Sequence, residues 1–163
     1  RRENYFRSSG NRCGSEGLRT GHRDIQATQG GYQYAVAAPG CALMAVILVV
    51  EDEAFIRQAA EWAIEDLGHT PLLADDLASA LVFLSDPRHI DGLFVDIRLG
   101  ALALGGYDIA NQAVGLRPRL PVLYTSGTPL NEDMSALFVG GGQFIQKPYS
   151  PSQLEFSVRK LLH

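Results

Sequence analysis

From residue 45 onward, short apolar segments alternate five times with segments whose apolar residues recur at helical spacing. The first, Val46–Val50, is continuously apolar, as expected of a strand buried on both faces of a parallel sheet. This alternation predicts an α/β fold with a five-stranded parallel sheet. The predicted strands cover residues 46–50, 70–74, 92–95, 121–124 and 143–146, and the predicted helices cover 53–67, 77–85, 107–114, 131–138 and 151–162.

Residues 1–43 differ in composition from the rest of the chain. They are rich in Gly, Ser, Arg, Gln and Asn, and no apolar period persists through them. We predict a disordered or non-native leader over residues 1–43 and a single domain over residues 44–163, with Met44 as a candidate initiator. A basic arm that binds a partner is the alternative interpretation of the first segment.

The charge of residues 44–163 limits the classes of partner. This segment carries eight Lys and Arg residues against fifteen Asp and Glu residues, which disfavours direct contact with nucleic acid. The longest apolar run, residues 35–50, is interrupted by Pro and Gly and is too short to cross a bilayer. Because no export signal or membrane segment is recognisable, we expect a cytoplasmic protein without membrane contact.

Polar side chains follow the carboxyl ends of four predicted strands. Glu51 and Asp52 follow the first strand, and Asp96 follows the third. Ser126 comes shortly after the fourth strand and Lys147 directly after the fifth. Because ligands in open α/β sheets bind outside the carboxyl ends of the strands, we expect these side chains to converge at one edge.

These residue types are suited to phosphoryl transfer. Neighbouring carboxylates repel one another, and Mg²⁺, which prefers oxygen ligands, would relieve that repulsion. An Asp in such a site can attack phosphorus and form an acyl phosphate. The metal, an ammonium and a hydroxyl would then share the phosphoryl oxygens and stabilise the charge that develops on them.

The order and spacing of these residues resemble the receiver domain of two-component response regulators. The resemblance extends over residues 44–163. Asp96 lies 44 residues beyond Asp52, at the family's phosphoacceptor position. Ser126 follows 30 residues later at the Ser/Thr position, and Lys147 begins the family's Lys-Pro pair. No single one of these motifs is specific, whereas the four together are.

The resemblance implies a flavodoxin-like, doubly wound (βα)5 fold with strand order 2-1-3-4-5. It implies a phosphorelay protein that accepts a phosphoryl group on Asp96, with Mg²⁺, from a histidine kinase or a histidine phosphotransfer protein. Its output would be protein–protein contact. Such a protein turns over no separate substrate and is not an enzyme in that sense.

The resemblance also assigns roles to individual residues. Asp96, Ser126 and Lys147 would be the catalytic group. Mg²⁺ would be bound by Asp52, Asp96 and the carbonyl of Arg98, with Glu51 acting through water.

Two aromatic residues are assigned to the switch and partner face, formed by the fourth helix, the fifth strand and the fifth helix. Phe144 takes the position of the aromatic residue that rotates inward on activation, although ordinary packing also explains it. Tyr149 is expected to be exposed or half-buried on this face, which is also a candidate homodimer interface.

The segment after Asp96 departs from the family pattern. Gly100 stands where the family usually has proline. Gly106, which matches the family's glycine before the next helix, comes about two residues later than usual, and residues 101–104 are apolar. This longer loop could be mobile, cover the site, contact a partner or be a tolerated insertion. Arg98 and Thr128 lie close enough in sequence to the site to influence how water reaches a phosphorylated Asp96.

Several alternatives remain open at the level of sequence. The chain is expected to be a stand-alone receiver, but it could also be the excised receiver of a longer regulator or hybrid kinase. A pseudo-receiver that binds partners without phosphorylation is the main rival. A flavin-binding module is disfavoured because the acids after the first strand would repel the flavin phosphate. A haloacid-dehalogenase-type phosphatase is disfavoured because Arg98 stands where that class has a second Asp.

Overall fold

The computed structural model describes residues 44–100 and 105–163. The leader predicted over residues 1–43 and the apolar loop residues 101–104 lie outside the described residues. Within the described ranges, strands and helices alternate along the chain. In order, the elements are β1 (Val46–Val50), α1 (Ala54–Asp66), β2 (Thr70–Ala74), α2 (Leu77–Ser85), β3 (Gly92–Asp96), α3 (Gly105–Leu116), β4 (Val122–Ser126), α4 (Glu132–Ala136), β5 (Gln143–Gln146) and α5 (Pro151–Leu161).

The strands form one parallel sheet in the order β2-β1-β3-β4-β5. This confirms the predicted flavodoxin-like α/β fold. The neighbours of the central strand β3 are β1 and β4, with Val50 opposite Val95 and Asp96 opposite Thr125. The chain winds outward in both directions from β1 and β3, so their carboxyl ends mark the switch point in strand order.

A hydrophobic core covers each face of the sheet. On one face, Ile47 and Val49 of β1 pack with residues of α1 and α5. On the other face, Leu48 and Val50 pack with residues of α2 and α3, with α4 at the margin. Alternate residues of β1 therefore enter opposite cores, and this explains why the whole segment is apolar rather than alternating with polar residues.

Two strands are longer than the apolar pattern predicted. Strand β3 extends through Asp96 and β4 through Ser126, because the backbone ladder continues past the last apolar side chain. Helix α3 begins at Gly105 and ends at Leu116, two residues beyond the predicted bounds at each end. Asp96 and Ser126 are thus part of the sheet, whereas Glu51, Asp52 and Lys147 directly follow their strands.

The helix ends are stabilised by local hydrogen bonds and by a glycine. Asp76 accepts a hydrogen bond from Ser79 N at the start of α2, and Ser150 accepts one from Gln153 N at the start of α5. Gly68 follows α1 with a φ of 81°, a left-handed conformation that glycine adopts without strain. In the part of the chain that the structure describes, no helix is long and apolar enough to cross a membrane.

Candidate functional site

The polar residues at the strand ends meet at one edge of the sheet. Glu51 directly follows β1, Asp96 is the last residue of β3 and Ser126 is the last residue of β4. Only 2% of Glu51, 6% of Asp96 and 1% of Ser126 is exposed. Burial of two carboxylates and a hydroxyl here requires polar partners, because an unpaired buried charge is strongly unfavourable.

Lys147, which follows β5, supplies a partner for both buried acids. Its Nζ lies 2.5 Å from Glu51 Oε2 and 2.9 Å from Asp96 Oδ2. One ammonium therefore bridges the ends of three strands, because it reaches from beyond β5 to acids at the ends of β1 and β3. A buried ion pair is tolerated only with such close geometry, because each charge has lost its hydration.

Burial raises the pKa of Glu51 above its ordinary value, even though the hydrogen bond from Lys147 acts in the opposite direction. Burial also opposes the charge of Lys147, but its hydrogen bonds to Glu51 and Asp96 outweigh that effect and raise the pKa of the ammonium. Lys147 therefore remains charged at neutral pH. A single positive charge does not balance the surrounding carboxylates, so the site favours an additional cation.

A metal ion fits the oxygen atoms at this edge. Glu51, Asp52 and Asp96 each offer a carboxylate oxygen, and the three atoms lie within 4.8 Å of one another. A donor set made only of carboxylate oxygens suits Mg²⁺ rather than a metal that prefers imidazole or thiolate. Arg98 is tied to the same place because its backbone N–H donates to Asp96 Oδ1 at 3.3 Å.

Two further groups hold the acids after β1, and sequence reasoning missed both. The Arg57 side chain, from the first turn of α1, donates to the carbonyl oxygens of Glu51 and Asp52 at 2.6 and 3.3 Å. The Gly100 N–H donates to Asp52 Oδ2 at 2.9 Å. The sequence could have indicated Arg57, because it is a basic residue in the first turn of the helix that follows the acidic pair. The backbone donor of Gly100 left no signal, because every residue except proline has one.

Gly106 allows α3 to start close to the end of β3. A Cβ added at Gly106 would lie 2.1 Å from Asp96 O and 2.7 Å from Ile97 Cα, distances that a side chain cannot adopt. The Gly106 N–H also donates to Ile97 O at 3.0 Å. The glycine singled out at the start of this helix is therefore needed to bring the helix against the site.

Ser126 lies at the same edge, and its Oγ accepts a hydrogen bond from Thr128 N at 3.1 Å. The Lys147 N–H donates to Ser126 O at 2.8 Å, which ties the ends of β4 and β5 together. A cavity of about 300 Å³ next to Ser126 is lined in part by Arg98, Thr128 and Tyr107. Arg98 and Thr128 are both exposed, and their influence on how water reaches a phosphorylated Asp96 stays a prediction.

Phe144 and Tyr149, which the resemblance assigns to one partner face, pack on opposite sides of the sheet. Phe144 is half-buried with its ring centroid 6.3 Å from that of Phe138, which in turn stacks on Tyr124 at 4.2 Å. Tyr149 is half-buried against Phe94 at 6.1 Å, in the core shared with α1 and α5. The peptide bond between Lys147 and Pro148, just before Tyr149, is cis.

The negative charges of the site acids affect the pKa of Tyr149. Burial, with added contributions from the negative charges of Glu51 and Asp96, raises the pKa of Tyr149 to about 12. Tyr149 thus belongs to the surroundings of the carboxylates as well as to the core. Tyr149 is half-buried, as expected, but it packs in the core on the side of the sheet opposite Phe144, and its role toward partners stays a prediction.

Comparisons with known proteins agree with this geometry. A family model described as the response regulator receiver domain matches residues 47–159. The alginate biosynthesis transcriptional regulatory protein AlgB of Pseudomonas putida is 30% identical over 120 residues, a match that covers 71% of this chain and 25% of AlgB. The response regulator MprA of Mycobacterium tuberculosis is 28% identical over 117 residues, which cover 71% of this chain and 50% of MprA.

A solved structure, that of a response regulator receiver protein from Sinorhizobium medicae, is similar with a TM-score of 0.66 and 27% sequence identity. The similarity covers 74% of this chain and 95% of that one. The chain spans between a quarter and a half of the two curated relatives described above. The matched range contains all the site residues at the strand ends, from Glu51 to Lys147. The chain therefore belongs to the response regulator receiver domain family.

Proposed function

We propose that the protein accepts a phosphoryl group on Asp96, in a Mg²⁺-dependent reaction, from a histidine kinase or a histidine phosphotransfer protein. The observation that carries this proposal is the position of Lys147. Its ammonium contacts Asp96 Oδ2 at 2.9 Å, beside three carboxylate oxygens that lie within 4.8 Å of one another. The receiver domain would be residues 44–163, with residues 1–43 as a leader outside it.

The transfer step uses Asp96 as the nucleophile. An electron pair of its carboxylate forms a new P–O bond while the P–N bond to the donor imidazole breaks. The imidazole nitrogen keeps the bonding pair and takes up a proton. Because no atom of the protein leaves, the product is an aspartyl phosphate that water can later hydrolyse.

The neighbouring side chains hold the phosphoryl group. The Lys147 ammonium, kept charged by Glu51 and Asp96, is placed to pair with a phosphoryl oxygen once Asp96 carries the group. The Ser126 hydroxyl, whose oxygen accepts from Thr128 N, can donate its own proton to a second oxygen. Asp52, Asp96 and the Arg98 carbonyl would bind Mg²⁺, with Glu51 through water. The bound ion would neutralise charge on the phosphoryl oxygens.

The output we propose is a change in protein–protein contact. Phosphorylation would shift the population between two packings of α4, β5 and α5, with Phe144 as the aromatic residue that responds. The same face is a candidate homodimer interface. We propose no direct nucleic-acid or membrane contact for residues 44–163, no turnover of a separate substrate, and action in the cytoplasm, where ATP-dependent kinases work.

Adduct formation tests this function directly. The full chain is incubated with Mg²⁺ and either acetyl phosphate or beryllofluoride, and the adduct is located by intact-mass and peptide mass spectrometry. We expect one adduct, lost in Asp96→Asn and retained in Asp66→Asn, a change at an exposed residue at the end of α1. No adduct at saturating Mg²⁺ would instead support a pseudo-receiver that binds partners without phosphorylation.

A further inference from the structure

The backbone N–H of Gly100 reaches across 48 residues of sequence to the acid after β1. It donates to Asp52 Oδ2 at 2.9 Å, and Gly100 has a φ of 57°. The contact joins the segment after β3 to the residue assigned as a direct Mg²⁺ ligand. Proline, which the resemblance expects at this position, has no N–H and could not make this contact.

The hydrogen bond and a metal ion can use the same carboxylate. An ionised Asp has two oxygens with about four lone-pair sites, so one donor on Oδ2 leaves several available. Carboxylates that bind metals are commonly oriented by outer hydrogen bonds. Asp52 is held in two places, since Arg57 donates to its carbonyl and Gly100 to its side chain.

The conformation of Gly100 directs the donor. A Cβ added there would lie 4.0 Å from Asp52 Oδ2, an ordinary contact, so space does not exclude a side chain. The positive φ is what most residues avoid, whereas Asn adopts it at modest cost. A change to Asn therefore keeps both the donor and the backbone path, while a change to Pro removes both.

We propose that the Gly100 amide is a positioning donor of the metal site, which orients the Asp52 carboxylate for Mg²⁺ and couples ion binding to the backbone after β3. This inference rests on the proposed function, because it takes Asp52 as a Mg²⁺ ligand. The coupling is reciprocal: bound ion strengthens the Gly100–Asp52 hydrogen bond to the same degree that the hydrogen bond strengthens ion binding.

The first test measures ion affinity with Mn²⁺ as the probe, from the electron paramagnetic resonance signal of free Mn²⁺. We expect Gly100→Pro to weaken Mn²⁺ binding roughly tenfold or more, the size of effect seen when outer partners of metal ligands are lost. Gly100→Asn, the matched control that keeps the N–H, should stay within about threefold of the parent chain. Equal affinity of Gly100→Pro and the parent, or equal losses in both variants, would overturn the inference.

The second test uses the unaltered chain and so does not depend on how the Pro variant folds. Hydrogen exchange of the Gly100 amide, followed by NMR, should be slower at saturating Mg²⁺ than without metal, because the bound ion stabilises the hydrogen bond. Unchanged or faster exchange with Mg²⁺ would overturn the positioning role. An adduct at Asp96 together with either negative result removes this inference alone, whereas absence of the adduct removes the proposed function.

Discussion

The Lys147 ammonium lies 2.9 Å from Asp96 Oδ2, although 51 residues separate the two in sequence. The same ammonium contacts Glu51 Oε2 at 2.5 Å. The strand order places the ends of β1 and β3 side by side, and the side chain of Lys147, directly after β5, reaches both acids. One cation thus holds together two buried acids that would otherwise repel each other.

Removal of this cation should destabilise the fold. Lys147→Met leaves Glu51 and Asp96 buried without a partner, and we expect the free energy of unfolding to fall by about 3 kcal/mol. Urea denaturation at neutral pH in EDTA measures this change. Lys160→Met, at an exposed position on α5, should change stability by less than about 0.5 kcal/mol. A loss of similar size in both variants would mean that the bridge contributes little.

The two acids after β1 should differ in their effect on metal affinity. Asp52→Ala should weaken Mg²⁺ binding more than Glu51→Ala, because Asp52 is assigned as a direct ligand and Glu51 as one that acts through water. Titration calorimetry of the metal-free protein gives both affinities. Equal losses would contradict the assignment of Asp52.

Gly106 should tolerate no side chain. Gly106→Ala would place a Cβ 2.1 Å from Asp96 O, so α3 must move away from the site, and we expect a loss of at least about 2 kcal/mol. The fraction of Asp96 that becomes phosphorylated should fall as well. Gly115→Ala is the matched control in the same helix, because nothing lies within 4 Å of its added Cβ.

The control should leave stability unchanged or raise it by up to about 1 kcal/mol, since Ala favours helix over Gly. Thermal and urea unfolding of the two variants measure the difference. Equal stabilities of the Gly106 and Gly115 variants would refute the close approach of α3 to Asp96.

Tyr149 should make stability fall at alkaline pH. Its pKa in the folded chain is about 12, above the ordinary value of 10, so the folded chain holds the phenol proton more tightly than the unfolded chain. The resulting stability is fully present below pH 10 and is lost as pH rises toward 12. Its size is at most about 3 kcal/mol.

Between pH 9 and about 11.5, the stability of the parent chain relative to Tyr149→Phe should therefore fall as pH rises. The raised pKa of Lys147 acts in the same direction, so the parent chain and the variant both lose stability and only their difference reports Tyr149. Ultraviolet absorbance follows tyrosinate formation in parallel. A constant difference across this range would refute the raised pKa.

Much of the fold was determined by local sequence patterns. The apolar run of β1, the glycine after α1 and the caps of α2 and α5 are decided by residues a few positions apart. The predicted ends of β3 and β4 were wrong. Asp96 and Ser126 continue these strands because they pair with neighbouring strands. A ladder formed between distant segments leaves no local pattern.

The sequence by itself determined which residue types stand at the strand ends, and therefore the chemistry that this edge can perform. Only the tertiary structure decided how they are held: the Lys147 bridge, the Arg57 and Gly100 donors, and the separation of Phe144 from Tyr149 by the sheet. The physical reason is the distance along the chain over which each effect acts. Side-chain type and periodicity act over one helical turn or a few strand residues, whereas these contacts depend on strand order and loop path, which only the packed chain defines.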